Sequence, residues 1–342
     1  MEKPIRVGAQ RRRGRGTAVT GLVAAVAVLA LTASGCVTVH GERAVVPSAT
    51  KAEAARALKE FVTAFNAADK AYDPALDAGR VTGALGAVNQ AGMKSRSVTY
   101  PGGNPRHVPL ELTDVTYSIP KKAGWPRYFL ADADPNRDRD GGPRDERWLL
   151  VFLRGGPTDV WKAGYLNAVP AAKAPKLKRD GDGHVSMLPA STEKLAQRPD
   201  GLPKSYSSYM QSGTPPVFGD GPHSSQWRDS RRRTSNLPGI STQWIDQPLD
   251  TGDFAPLAFA AQDGGALVFF TIRTYERQTA AGGVKLPVHP DVKPLLTGEV
   301  KTSLTKERVS AQAVLVPAAG GGAAAKTEIL SRLAGLTTAK GA

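Results

Sequence analysis

Apolar residues recur at helical spacing shortly after residue 50, at Leu58, Phe61 and Phe65. This spacing places them on one face of a helix. Thr50 and Glu53 precede them and stand three residues apart, which is the spacing of a capping box. The pattern therefore predicts a helix that begins at Thr50 and runs to about residue 71.

A second, shorter helix is predicted over residues 80–90. Asp73 and Pro74 separate it from the first helix, because proline cannot continue a helix. Gly92 is its predicted end, since glycine commonly follows the last turn of a helix.

The apolar pattern then changes from helical to alternating. Apolar residues alternate over residues 110–119, with a slip near Asp114 that indicates a β-bulge. The continuous apolar run of residues 148–153 predicts a central strand, and residues 266–270 form a similar run in the second half of the chain. Helices followed by several antiparallel strands indicate the α+β class.

The same order of elements occurs twice, which predicts two similar α+β domains over residues 50–170 and 204–317. Each is expected to have N-terminal helices packed on a curved antiparallel sheet, by analogy with nuclear transport factor 2-like (NTF2-like) or cystatin-like folds. The analogy concerns architecture and carries no function. Residues 171–203 are the predicted linker, and residues 318–342 a Gly/Ala-rich tail with a short helix over residues 327–336.

The N-terminus has the three parts of a secretory signal peptide over residues 1–35: a basic start, an uncharged stretch and small residues at its end. Cys36, the single cysteine, follows directly. This arrangement resembles the lipobox of bacterial lipoproteins, in which the chain is cut before the cysteine and its thiol receives a diacylglycerol. Two or three acyl chains, palmitate among them, anchor a protein stably. Residues 36–49 are the predicted tether.

Basic residues of a signal peptide stay on the cytoplasmic side. The body is therefore predicted to be lipid-anchored on the extracytoplasmic face of the cell membrane. Arg11, Arg12 and Arg13 suggest twin-arginine export, but the expected hydrophobic residues do not follow, so the general secretory and twin-arginine routes both stay open.

The net charge of the chain is +14 at neutral pH and stays positive when residues 1–35 are removed. Anionic partners of an exported protein are lipid headgroups or wall polymers. Nucleic acid is not an expected partner, because the sequence lacks a basic groove studded with aromatic residues. A basic surface that only aids solubility is the alternative.

Six segments resemble a family of uncharacterised actinobacterial lipoproteins that contain a domain of unknown function. The segments are CVTVHGE (residues 36–42), AYDPALDAGR (71–80), GNPRHVPL (103–110), KAGWP (122–126), LDTGDF (249–254) and TGEVK (297–301). The similarity covers nearly all of the chain after the signal peptide. The resemblance implies an anchored lipoprotein, and it brings no catalytic residues with it.

Signatures of known catalytic chemistry are absent from the sequence. It has no zinc-protease motif, nucleophile elbow, phosphate-binding loop or dinucleotide fingerprint. The histidines are not spaced as metal ligands and are predicted to lie in surface loops; they are His40, His107, His184, His223 and His289. No catalytic, cofactor or metal residue is assigned, no cofactor is expected, and Cys36 is the one predicted site, for lipidation.

Two charged segments leave alternatives open. Oxygen-bearing side chains alternate from Asp132 to Asp140, which suits calcium, but Arg147 occupies the position where a calcium loop has glutamate. The alternative is a polar loop between two strands. The basic residues 227–233 fit either contact with a phosphate-bearing polymer or lipid, or a solvated helix end.

The leading functional prediction is a non-catalytic envelope lipoprotein, held in the membrane by the diacylglycerol on Cys36, that binds an envelope protein or an anionic polymer. The alternatives are a hydrolase acting on wall material and a small-ligand-binding lipoprotein, each with a pocket between helix and sheet. If Phe61, Phe65 and Trp148 filled the cone-shaped space between helix and curved sheet, partner binding would be favoured. Convergent carboxylates or a histidine would favour an enzyme, and an apolar cavity with few polar groups would favour ligand capture.

Overall fold

The first helix begins where the sequence predicts it. The computed structural model describes residues 44–320 and 325–342, so the predicted signal segment and Cys36 lie outside the described residues. Helix α1 (Lys51–Ala71) has a complete capping box: Glu53 N donates to Thr50 Oγ1 at 3.1 Å, and Thr50 N donates to the Glu53 carboxylate at 2.7 Å. The predicted start and end of this helix are confirmed.

Helix α2 (Gly83–Thr99) continues past its predicted end at Gly92. Its last turns pack against a 3-10 helix, Pro290–Leu295, which the sequence pattern did not reveal. Ser95 is buried there and its hydroxyl donates to the Asp291 carbonyl at 2.6 Å. Tertiary packing therefore outweighs the low helix propensity of one glycine.

The first sheet is antiparallel, with strand order β2–β4–β5–β6. The bulge predicted near Asp114 is confirmed, because the β2–β4 register shifts between Thr113 and Thr116. A separate two-stranded pair, β1–β3, joins the start of the described chain to the hairpin between β2 and β4. The strands are β1 (Val46–Pro47), β2 (Leu112–Ser118), β3 (Lys121–Lys122), β4 (Arg127–Pro135), β5 (Glu146–Arg154) and β6 (Lys162–Pro170).

The second sheet has eight strands, of which six follow the path β12–β14–β13–β11–β10–β7. Off this path, β9 pairs with the C-terminal part of β11, and β8 pairs with β9. Two helices precede most of these strands, α3 (Leu202–Ser212) and α4 (Ser225–Thr234), as predicted. The strands are β7 (Met187–Leu188), β8 (Asn236–Leu237), β9 (Ile240–Leu249), β10 (Leu257–Ala260), β11 (Ala266–Ala280), β12 (Leu296–Thr297), β13 (Ser303–Val316) and β14 (Glu328–Gly341).

The two sheets pack face to face, because their most apolar strands are buried on both sides. In β5 (Glu146–Arg154), Leu149 and Val151 belong to a core shared with Leu267 and Phe269 of β11 (Ala266–Ala280). The alternate residues of β5 pack under α1, and those of β11 pack under α3. The layers therefore follow the order helix, sheet, sheet, helix, and α2 lies along β6 and β14.

Two expectations need correction. The segment of residues 171–203 connects the sheets but is packed into the molecule: Leu177 and Val185 are buried in the shared core, and β7 pairs with β10. The short helix expected over residues 327–336 is instead part of β14, which pairs with β13 along its length. The α+β class is confirmed in its broad form, mixed helices and antiparallel sheets, and the described residues form one compact unit.

Candidate functional site

A cavity of about 410 Å³ opens beside α2, between the edges of the two sheets. We call it the helix–sheet pocket. Leu85 and Val88 of α2 form one wall, Trp148 and Leu166 of the first sheet form the second, and residues 333–336 of β14 form the third. Most of its lining is therefore hydrocarbon or aromatic.

Two glycines determine the shape of the helix–sheet pocket. At Gly335 of β14 an added Cβ would lie 2.4 Å from Val88 Cγ1, so glycine permits the close approach of α2 to this strand. At Gly92 of α2 an added Cβ would meet nothing nearer than Arg96 Nη1, at 3.8 Å. The missing side chain of Gly92 therefore leaves part of the pocket open.

The polar groups around the helix–sheet pocket are largely engaged with one another. Asn89 lines the pocket, and its amide donates to the buried carboxylate of Asp77 at 2.5 Å. Gln90 donates to the other Asp77 oxygen at 2.6 Å. Burial raises the pKa of the Asp77 carboxyl above its ordinary range, and the two hydrogen bonds partly oppose that rise. Arg96 stands at the rim, with its guanidinium 5.8 Å from the centre of the Tyr72 ring.

Phe61, Phe65 and Trp148, which would favour partner binding if they filled the space between helix and sheet, have different positions. Phe61 is fully buried between α1 and the first sheet, with its ring 5.9 Å from that of Phe152. Phe65 and Trp148 instead line the helix–sheet pocket. The space between α1 and the first sheet is therefore filled at Phe61 and open near Phe65 and Trp148, where it joins the helix–sheet pocket.

The basic segment of residues 227–233 divides into a buried and an exposed part. Arg231 is 4% exposed and donates two hydrogen bonds to Asp246, at 2.6 and 3.0 Å. Its guanidinium lies 5.1 Å from the Trp227 ring centre and 4.8 Å from that of Trp244. Arg231 therefore fastens α4 to β9. The solvated-helix alternative is wrong for this residue, while Arg232 and Arg233 are exposed.

The acidic segment from Asp132 to Asp140 brings three carboxylates together. Ligand oxygens of Asp134, Asp138 and Asp140 lie within 4.8 Å of one another, which is a set of hard donors. Asp132 is not among them, because it pairs with Arg147 at 2.7 Å. Burial, with a smaller contribution from neighbouring carboxylates, raises the pKa of Asp134. Calcium binding and a polar loop both remain alternatives for this segment.

The sequence predicted exposed histidines, but three of them are half-buried: His107, His184 and His223. His107 Nδ1 lies 2.7 Å from Asp69 Oδ2, and its side chain is 14% exposed. Asn104 Nδ2 donates to the same carboxylate oxygen at 3.1 Å. These contacts fasten residues 103–110 to the end of α1. The one signal for this pair in the sequence, an acidic residue on a helix, is too common to identify a partner.

None of the helices in the described part of the chain is long and apolar enough to cross a membrane. Cys36, the predicted lipidation site, lies outside the described residues, so its lipidation stays a prediction.

Comparison with known proteins identifies the family. The model of a domain of unknown function, DUF8094, matches residues 45–341, so the chain belongs to this family. An uncharacterised lipoprotein of Streptomyces coelicolor is 51% identical over 332 residues, which cover 96% of this chain and 98% of that protein. An uncharacterised lipoprotein of Streptomyces avermitilis is 49% identical over 332 residues, which cover 97% of each chain. No solved structure matches the chain.

The predicted resemblance to actinobacterial lipoproteins with a domain of unknown function is thereby confirmed.

Proposed function

We propose that this protein is a membrane-anchored, non-catalytic lipoprotein that binds an apolar small molecule in the helix–sheet pocket. The diacylglycerol on Cys36 anchors it, and its body stands on the extracytoplasmic face of the membrane. The signal-peptide pattern, the position of the single cysteine and the names of the Streptomyces relatives support the anchor.

The observation that carries the binding function is the apolar lining of a cavity of about 410 Å³. This volume falls within the range of pockets that bury small ligands, which are mostly apolar with a few orienting polar groups. Of the three outcomes distinguished from the sequence, an apolar cavity with few polar groups favours ligand capture. Binding of an envelope protein or polymer is thus replaced as the leading hypothesis.

The arrangement around Asp77 supports a non-catalytic role. A general base must be free to accept a proton from its substrate. Both oxygens of the Asp77 carboxylate accept hydrogen bonds from Asn89 and Gln90, so this buried acid holds the helix in place. The hydrolase alternative therefore gains no support from the buried carboxylate beside the pocket.

We also propose that each half of the body, residues 50–170 and 204–317, is a cone-shaped fold of the NTF2-like or cystatin-like type. Support comes from α1, which packs on the outer face of the first sheet, and from α3, which packs on the outer face of the second. The helix–sheet pocket would then occupy the open end of the first cone.

The ligand-binding proposal is tested with Gly92→Phe in the soluble body, residues 37–342. The new side chain occupies the open space at Gly92, so it should lower the affinity for a fluorescent apolar probe such as N-phenyl-1-naphthylamine by about tenfold or more. Replacing a glycine inside a helix should not reduce stability by itself.

Val98→Phe is the matched control, because Val98 lies on the same helix and its side chain is 64% exposed. It should bind the probe as the wild type does. Equal probe affinity of wild type and Gly92→Phe, with thermal unfolding of both unchanged, would contradict the proposal.

A further inference from the structure

The described chain enters the body at one corner of the first sheet. β1 (Val46–Pro47) pairs with β3 (Lys121–Lys122), and Ser48 N donates to the Pro120 carbonyl at 2.8 Å. Arg127, at the start of β4, reaches the Pro47 carbonyl at 3.5 Å. The point where the tether joins the body is therefore fixed beside the connection between β2 and β4, which contains β3.

Two arginines face each other at this corner. Arg127 of β4 and Arg154 of β5 are direct cross-strand partners. Both guanidinium groups lie over the ring of Trp125, at 4.5 and 5.3 Å from its centre. We call these three residues the arginine corner. Like charges placed directly opposite each other in a sheet repel, so this arrangement needs a source of negative charge.

The protein supplies little of that charge. Arg127 forms no ion pair with any residue in the described ranges, and the nearest carboxylate oxygen of Glu53 is 3.8 Å from Arg154. The Glu53 carboxylate already accepts the cap hydrogen bond from Thr50. The Nε atoms of both arginines are buried without an acceptor. By contrast, Lys121 nearby is paired with two aspartates, at 2.9 and 2.6 Å.

We propose that the arginine corner binds the phosphate of an anionic phospholipid in the membrane that holds the protein. Guanidinium groups bind phosphate through two parallel N–H donors, and two opposed guanidiniums can share one phosphate. Tryptophan suits the same location, because its amphipathic ring is enriched at the level of lipid headgroups. The body thus rests on the bilayer at this corner.

The length of the tether places the corner within reach of the bilayer. Val46 follows Cys36 by ten residues. A fully extended chain spans at most about 3.3–3.6 Å per residue, so β1 lies no more than ~35 Å from the lipidated thiol. This step rests on the proposed acylation of Cys36.

The test uses the acylated full-length product reconstituted into vesicles of phosphatidylcholine, with or without phosphatidylglycerol. Hydrogen exchange of the backbone amides of residues 121–129 is measured in both. Exchange should be about tenfold slower with phosphatidylglycerol and should return to the phosphatidylcholine rate at high salt, since salt screens exposed charges. Equal rates in the two kinds of vesicle, or slowing that survives high salt, would overturn the proposal.

Arg127→Gln/Arg154→Gln should abolish the slowing. Arg232→Gln/Arg233→Gln removes the same charge from the exposed part of α4 and should keep it. The reverse result would assign membrane contact to α4 and overturn the proposal. If Arg127→Gln/Arg154→Gln fails to fold, the salt dependence of hydrogen exchange in the wild-type protein decides the proposal alone.

Flotation of the vesicles separates this proposal from the anchor on which it rests. Protein that floats in both kinds of vesicle without slowed exchange overturns the docking alone. Protein that does not float refutes the anchor at Cys36, and the docking with it.

Discussion

At the scale of single residues, charged side chains that look alike in the sequence have different roles. Arg231, Arg232 and Arg233 are consecutive, yet the first is buried against Asp246 and the other two are exposed. Thr274 also donates to Asp246, at 2.6 Å, so the buried carboxylate has three hydrogen bonds. Removing one partner of a buried ion pair strongly destabilises a protein, because the other charge stays buried without compensation.

Asp246→Ala should therefore lower the free energy of unfolding by about 3–5 kcal/mol. Chemical denaturation of the soluble body measures this change. Asp229→Ala is the matched control, since it removes the exposed i,i+3 partner of Arg232 and should cost no more than about 1 kcal/mol. Similar losses for the two variants would show that Arg231 is not held in place by Asp246.

At the scale of elements, β14 shows how a strand can carry a helical pattern. Ile329, Leu330, Leu333 and Leu336 have the spacing of a helix face. The β13–β14 register shifts twice, and each shift leaves an extra residue in β14, at Leu330 and at Thr337. Ile329 therefore packs in the core under α3, and its neighbour Leu330 packs between the sheets. Bulges break the alternation that would have indicated a strand.

The contact between α2 and β14 depends on the absence of a side chain at Gly335. Gly335→Ala should destabilise the protein by about 1–3 kcal/mol, because its Cβ would overlap Val88. Val88→Ala in the same chain should recover part of that loss, which a double-mutant cycle on the free energy of unfolding measures.

Gly79→Ala serves as the control for this cycle, since an added Cβ at Gly79 meets nothing within 4 Å. Wild-type stability of Gly335→Ala would contradict the close approach. It would also mean that the close approach of α2 at Gly335 does not determine where β14 forms the third wall of the helix–sheet pocket.

At the scale of the whole molecule, the sequence predicted the elements better than their assembly. The capping box of α1 and the continuous apolar run in β5 depend on neighbouring residues, and both predictions are confirmed. A strand that is apolar on both faces must be covered twice. The sequence could not show that the second cover of β5 is the other sheet, nor that α2 continues past Gly92, because both depend on residues far away in the chain.

The sequence indicated a possible type of site but not most of the residues that form it. A pocket between helix and sheet belonged to the two alternative functions, and the cavity beside α2, with Phe65 and Trp148 in its lining, agrees with those alternatives. Its third wall comes from β14, which the sequence placed in a tail. The arginine corner was not predicted either, because Arg127 and Arg154 are brought together by strand pairing alone.

The anchor also belongs to the scale of the whole molecule. Cys36→Ser should remove the acyl mass and weaken retention in the membrane fraction, because serine offers no thiol to receive the diacylglycerol. Intact-protein mass spectrometry and cell fractionation measure both effects. Ser34→Ala keeps a small residue before the cleavage site and should leave acylation unchanged. A mature wild-type protein without acyl groups on Cys36 would refute the anchor.

The shared core between the two sheets has a consequence for the gene. If a stop codon and a new start codon divided the gene between the codons for β6 and those for β10, two separate chains would be made. Each chain would expose an apolar sheet face that the other now covers. Neither product would be soluble until the two met, so the halves would have to survive as an obligate pair. A single chain ensures that both halves are made in equal amounts, which two separate genes would not ensure.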